Sequence, residues 1–463
     1  MLSIEERRTR GREVRKTVPR QAHAAWKPAA DRRSPVDILE LQSAGRLPDL
    51  VPVRYQRMRA SPFAFYRGSA AIMAMDLATL PRTPLIAQLC GDAHLMNFGV
   101  FGSPEREMLF DINDFDETLP GPIEWDLKRL LTSFVLAGRA NGFKPGDCRA
   151  TAVAAAAAYR ETMQRLAQMG TLAAWYTHVT VDDIIGVLDA DRARRDAVDW
   201  MQKTRSNTSI KALNTLTHVV NGRREIIDDP PLIERIPLDS TEDADFVARF
   251  RHGFQQYRDS LPPERGHLLD HFELVDIARK VVGVGSVGTR CYIALLGGST
   301  IEDALFLQIK EAEPSVLETY LGKSTFDNHG QRVVVGQRWM QAASDIFLGW
   351  QRSDVARDFY IRQLQDLKGS VPVEAVAPSG LMLYARVCGS TLARAHARSG
   401  DRIQMAAYIG RGVSLDTALV AFAEAYADQT ESDFKEFAAA CNSGRLPTPS
   451  RSAPGSRSAA GSR

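Results

Sequence analysis

A chain of 463 residues, 44% of them hydrophobic, can bury a sizeable core and form two or three domains, or two lobes with an extension. A net charge of +2 gives no bulk reason to expect a nucleic-acid partner. The five cysteines are scattered, with no CxxC or Cys/His cluster, which speaks against a zinc site or a disulfide frame and fits a reducing cytoplasm.

Taken in order, the first sixteen residues lack an apolar core, so no secretory signal is expected. The longest small-apolar run, 151–158, is too short for a bilayer, and no membrane association is expected. Residues 1–60, rich in Arg and Pro, read as an N-terminal arm, a surface wrap or partly disordered segment with a short helix over 35–43. The PFAFY stretch at 62–66 reads as an aromatic strand, followed by an Ala/Met-rich helix that Pro81 and Pro84 end. Residues 85–90 form an apolar run consistent with a buried strand leading to Gly91-Asp92. Helical spacing over 125–140 is set by Leu127, Leu130, Leu131, Phe134 and Val135, and Asn141-Gly142 stops it. An Ala-rich helix follows over 147–169. The pattern stays helical to about 269, with a polar break at 204–209 and a loop at 228–231. Lys203, Arg205, Lys211, Arg223 and Arg224 make that segment basic, as a solvated helical surface would be.

From about 274 the chain turns β-like. Residues 280–296 are β-branched and punctuated by glycine, Gly297-Gly298 makes a turn, and 304–309 is a strand followed by Lys310-Glu311. Pro314 opens a helix through Glu318 to Leu321. A helix carrying Trp339 and Met340, a strand at 358–364, a linker at 370–379 and helices over 382–398 and 415–440 complete the chain. The Ser/Pro/Gly/Ala/Arg tail from 442 is expected to be disordered.

The densest chemistry lies in 90–127, which holds Asp92, His94, Asn97, Asp111, Asn113, Asp114, Asp116 and Asp126 among apolar runs. Oxygen donors of this kind suit Mg²⁺, which takes one or two carboxylates and substrate phosphates and keeps several waters. In Gly91-Asp92-Ala93-His94-Leu95-Met96-Asn97, a carboxylate able to take a hydroxyl proton stands five residues from an amide able to hold a metal. That is the layout of a phosphoryl-transfer loop. A strand over 109–116 would put Asp114 and Asp116 on one face, aimed together into the cleft as candidate metal ligands with Asn97, and Asp111 on the other. Gly283, Gly285, Ser286 and Gly288 form a GxGxxG run between strand-like segments. A phosphate-covering hairpin fits it better than a dinucleotide fingerprint, which needs a helix next. Such a hairpin needs a lysine on the next strand, and Lys310 stands there. Glu318 is the acid expected to orient it, with Glu311 and Glu313 as alternatives.

These motifs resemble the protein-kinase-like superfamily, in its aminoglycoside and choline phosphotransferase branch, with Cys90 where that branch has His. Most of residues 50–440 look like the bacterial family called domain of unknown function 2252, through CGDAHLMNFG, DINDFDET, EWDLKRL, GVGSVGTR and LQIKEA. The resemblance implies an α+β, two-lobed kinase-like fold with a helix-rich larger lobe and a smaller antiparallel-sheet nucleotide lobe. It implies Asp92 as catalytic base beside His94, Asn97 and Asp114 as Mg²⁺ ligands, Asp126 as structural support, and the glycine run with Lys310 for ATP. Kinase-like chains place the glycine run before the catalytic loop, whereas here it follows, so the resemblance implies a circular permutation. The lobes would be a catalytic-loop and helical lobe at 61–272, a nucleotide lobe at 273–372 and a returning helical segment at 373–441. The expected function is ATP- and Mg²⁺-dependent phosphoryl transfer to a small-molecule hydroxyl. A nucleotide-binding regulatory protein with little turnover, or a metal-dependent hydrolase, are the alternatives.

Overall fold

The computed structural model describes residues 2–186, 199, 201–202, 204, 209–238, 244–364 and 367–449. Lys203 and Arg205 of the predicted basic face, and the tail from 450, lie outside them.

The N-terminal arm is helical and tied down, not partly disordered. Helix α1 (Ile4–Thr17) opens on a reciprocal cap between Ser3 and Glu6, and Arg7 reaches Asp401 at 2.8 Å. Helix α2 (Pro35–Ser43) forms where expected, with Ser34 as cap and proline at the first position. Arg32, between them, bridges Asp76 and Asp433 at 2.7 Å each, all three side chains nearly buried. After α3 (Val51–Met58), the PFAFY stretch is helix α4 (Pro62–Arg67) and not a strand. The Ser61 hydroxyl accepts from the Ala64 amide at 3.0 Å and Pro62 presets the first turn, which overrides the β preference of the aromatic side chains. Helix α5 (Ala70–Ala78) completes this group.

Helix α6 (Ile123–Ala140) is buried on every side, which makes it the axis of the helical body. Alongside it run α7 (Pro145–Leu166) and the long helices Pro378–Ser399 and Ser414–Asn442. Alanines along α7 permit close approach: Gly389 sits against the Ala155 carbonyl with no room for a Cβ. Among the described residues no helix is long and apolar enough to cross a membrane.

Two short two-stranded ladders cap this body. Strand β1 (Ile86–Leu89) pairs with β4 (Leu119–Pro122), and β2 (Phe98–Gly102) with β3 (Met108–Ile112), all antiparallel. Strand β3 ends at Ile112, so Asp114 and Asp116 leave the ladder and the expected shared strand face does not exist.

Beyond them stands a six-stranded antiparallel sheet of order β11-β12-β10-β9-β8-β7. Its strands are β7 (Ile233–Ile236), β8 (Glu273–Lys280), β9 (Cys291–Gly297), β10 (Ala304–Ala312), β11 (Gly349–Arg352) and β12 (Asp358–Gln363). Leu305, Leu307 and Ile309 pack on one face with Phe250 and Tyr257 of the helix Ala244–Ser260, while Phe306 and Ile293 pack on the other with Ala212 and Leu213. Lys310 shares the parity of Phe306 and lies within β10, which runs two residues past it.

The helical pattern expected to about 269, with breaks only at 204–209 and 228–231, gives way to strands over 217–236. A hairpin of β5 (Thr217–Val220) and β6 (Arg223–Ile226) turns at Asn221-Gly222, both with positive φ (49° and 77°), and β7 joins the sheet ahead of the expected boundary at 273. Val-Val-Asn-Gly-Arg-Arg is a two-residue hairpin signal that helical periodicity masked. Arg223 and Arg224 therefore sit on a strand, and Arg224 pairs with Glu302 at 2.7 Å.

Candidate functional site

Strand β1 delivers the chain to Gly91, whose φ of +83° and close approach to the Glu117 carbonyl both require glycine. Asp126, in the first turn of α6, accepts from the amides of Cys90 (2.8 Å) and Gly91 (3.0 Å). His396 Nε2 lies 3.3 Å from the same carboxylate, and Tyr159 OH 2.9 Å from His396 Nδ1. A buried chain of polar groups thus fixes the loop, with Cys90 contributing its amide and not a side-chain ligand.

On that loop Asp92 Oδ1 accepts from Arg129 Nε at 2.7 Å. His94 Nε2 stands 3.8 Å from Asp92 Oδ2, and Asn97 Nδ2 donates to the Asp92 carbonyl at 2.7 Å. Burial raises the Asp92 carboxyl above the usual carboxylate range, with Arg129 and Arg67 opposing it. Burial, then the charges of Arg129 and Arg67, hold His94 well below the usual imidazole range, so it is neutral.

The second acidic pair sits on the turn after β3. The Asp116 amide donates to Asp114 Oδ1 at 3.1 Å, closing that turn. Lys310 Nζ, reaching across from β10, lies 2.7 Å from Asp116 Oδ2 and 4.0 Å from Asp114 Oδ2. Tyr360 OH on β12 donates to Asp116 Oδ1 at 2.6 Å, and Ser286 Oγ of the glycine run lies 3.2 Å from Oδ2. Burial would raise both acids. For Asp116 the Lys310 charge and hydrogen bonds outweigh it and the carboxyl is lowered, whereas Asp114 is raised by burial and then by Asp116. For Lys310, burial is outweighed by Asp116, Tyr360 and Asp114, so the amine stays charged. Arg332 clamps the turn from the helix His329–Met340, donating to the carbonyls of Asp116 (2.9 Å) and Thr118 (2.7 Å).

The loop and the acidic turn border one cavity of about 640 Å³, lined by Asp92, His94, Asn97, Asp114, Asp116 and the glycine run from Gly283 to Ser286, with Lys310 buried against Asp116. Residues expected from far-apart stretches therefore meet; Gly288 stands at the base of the same loop, with positive φ, against Arg46. Glu318 does not orient Lys310. It lies 3.8 Å from Arg332 and 3.7 Å from His329, and Asp116 takes the place expected for it. Of the alternatives, both Glu311 and Glu313 line the cavity, and Glu311 pairs with Arg290 (3.2 Å) and Arg357 (2.8 Å). Asp111 accepts from the Ala342 amide and takes no part in the cavity. Sequence reasoning missed Arg129, Tyr360, Arg332 and the cavity-lining Arg46, Arg54 and Arg67. Arg129 had a signal, a cation on a helix marked as buried by Leu127, Leu130, Leu131 and Phe134; the others had none, because a contact partner distant in sequence defines them.

Among the described residues no group of three or more His, Cys, Asp or Glu is placed to hold a metal unaided. The donors that face the cavity still fit Mg²⁺, which accepts one or two protein oxygens and completes its shell with water and phosphate. The Asn97 amide nitrogen is occupied by the Asp92 carbonyl, which leaves its oxygen for a ligand, and Asp114 keeps Oδ2. Asp116 is already engaged by Lys310, Tyr360 and Ser286.

Fold and site define a mixed α+β protein with one acidic and basic cavity between a helical body and an antiparallel sheet. Residues 46–440 match the family described as "Uncharacterized protein conserved in bacteria (DUF2252)", and the chain belongs to that family. No curated protein and no solved structure matches it.

Proposed function

We propose that the protein is an ATP-dependent phosphotransferase that acts on a hydroxyl, with a circularly permuted kinase-like fold. The observation that carries this is the Lys310–Asp116 contact across 194 residues, beside a cavity shared with Asp92, Asn97, Asp114 and the glycine run. The sheet supports it: the strand after the glycine hairpin is followed by the lysine strand, and a helix then precedes the two remaining strands. The permutation is supported by the end of the helix Pro378–Ser399, where Ser399 Oγ accepts from the Gln88 amide of β1 at 2.9 Å. The helix that leads into the catalytic loop in kinase-like chains thus abuts this loop from the other end of the sequence.

In this reading Lys310 and the glycine loop position the triphosphate, and Asp92 takes the proton of the acceptor hydroxyl. The acceptor oxygen bonds to the γ-phosphorus, the bond from that phosphorus to the β,γ-bridging oxygen breaks, and its electron pair leaves with ADP. Mg²⁺, when bound at Asn97 and Asp114, would neutralise phosphate charge. Arg129 orients Asp92. Thermal unfolding with and without Mg²⁺–ATP, and ADP release against an acceptor panel, test the reading. Asp92→Asn should keep the ATP-induced stabilisation and lose turnover by about 10²–10⁴-fold; wild-type turnover in this variant would remove Asp92 from the chemistry.

A second reading, a nucleotide-binding protein with little turnover, draws on the Arg129 contact, since the guanidinium occupies Asp92 Oδ1 and opposes the rise in basicity that burial gives it. ATP-induced stabilisation with no product from any acceptor would favour it.

A further inference from the structure

Three arginines from the N-terminal elements line the cavity: Arg46 between α2 and α3, Arg54 on α3 and Arg67 at the end of α4. Neutral oxygens hold two of them. Arg46 Nη1 donates to the Val287 carbonyl at 2.6 Å. Arg54 donates to Ser43 Oγ (3.3 Å), Gln42 Oε1 (3.2 Å) and the Gly68 carbonyl (3.1 Å), and is 1% exposed. Arg67 makes no hydrogen bond to the described residues. In all three the Nε is buried without a partner, and none forms an ion pair among the described residues. Glu313 and Glu117 influence Arg46 from a distance, as Asp92 and Glu374 do Arg67, yet burial still draws all three below the usual arginine range, with Arg46 adding to the effect on Arg54.

A buried cation without a counter-ion is costly, and a guanidinium offers a planar fork matched to two oxygens of a phosphate or carboxylate. Such a cluster beside a candidate base implies that the missing counter-ion arrives with the ligand. We propose that Arg46, Arg54 and Arg67 form an anion-binding subsite beside Asp92, so that the hydroxyl acceptor carries a phosphate or carboxylate group. The word acceptor rests on the phosphotransferase reading; the anion subsite does not.

The test titrates the full-length protein calorimetrically with inorganic phosphate, glucose 6-phosphate, gluconate and glucose, with and without saturating Mg²⁺ and a non-hydrolysable ATP analogue. Glucose 6-phosphate and gluconate separate phosphate from carboxylate recognition. Wild type should bind at least one anion tenfold or more tightly than glucose. Arg67→Gln, whose side chain has no partner to lose, should forfeit that preference while keeping the ATP-induced thermal shift; Arg54→Gln should do the same if it folds. The subsite is overturned if anions and glucose bind alike, if no anion binds below about 10 mM, or if Arg67→Gln binds anions as wild type does. Loss of the ATP-induced shift together with anion binding also overturns it, since the arginines would then serve the nucleotide. Arginine-dependent anion binding in a protein that ATP never stabilises leaves the subsite standing and ends the phosphotransferase reading.

Discussion

Lys310 is 3% exposed, and its amine is balanced chiefly by Asp116, so two explanations of the pair compete: structural ion pair or nucleotide ligand. They separate experimentally. Removing one partner of a buried pair leaves an uncompensated charge, worth about 3–5 kcal/mol. Lys310→Met should therefore destabilise the protein by about that much and abolish ATP-induced stabilisation. Adding Asp116→Asn should restore most of the stability in chemical denaturation without restoring the ATP effect; a restored ATP effect would make the lysine purely structural. A second buried amine, Lys128 on α6, lies 4.3 Å from the Phe422 ring centre and is lowered by burial to about 8, with Glu124 opposing. Below pH 8 the lysine is charged in both states, and the folded state bears the full burial penalty, on the order of 3 kcal/mol. Between about pH 8 and 10.5 the folded amine loses its proton first, so this group makes stability rise with pH. Lys128→Met should gain roughly 1–3 kcal/mol at pH 7, after loss of the ring contact, and lack that rise; denaturant midpoints at pH 7 and 10 check it. At this scale the sequence singles out Asp92, Asn97, Asp114 and Lys310 as candidates, because each sits in a short motif, and the fold brings them into one neighbourhood. It could not disclose Asp116 as the partner of Lys310: the acid was expected on the following helix, at Glu318, and the true partner lies 194 residues away.

Elements were legible where periodicity was long and caps were explicit. Helix α2 and the central helix α6 fall where their spacing and stop signals put them. Two failures have local causes: Ser61-Pro62 converts an aromatic run into a helix, and Asn221-Gly222 folds a basic segment into a hairpin. The N-terminal arm failed for a different reason. Its order comes from contacts with the far end of the chain, above all Arg32 between Asp76 and Asp433. Arg32→Ala would leave two buried carboxylates together, at a cost of about 3–5 kcal/mol. Thermal or denaturant unfolding should show that loss, and a change under 1 kcal/mol would mean that the arm is held by its apolar contacts alone. The arm also reaches the glycine run, through Leu47 N on the Gly288 carbonyl (2.8 Å) and Arg57 on the Gly283 carbonyl (2.5 Å). Its elements therefore build one wall of the cavity, which composition alone presents as a solvated extension.

For the molecule as a whole, the mixed α+β class could be read from the change of pattern near 274, but the sheet's true reach could not. Strand β7 is only four residues long and is joined to β8 by the helices at 244–269, so its membership depends on pairing that no local pattern records. The long sequence separation between the acidic turn and the lysine strand also governs how their contact is made. During synthesis, Asp116 leaves the ribosome 194 residues ahead of Lys310. At about 5–20 residues per second that is a lag of roughly 10–40 s. Throughout it the nascent helical half carries two adjacent carboxylates with no amine to neutralise them, and the cleft can close only when the strand bearing position 310 emerges.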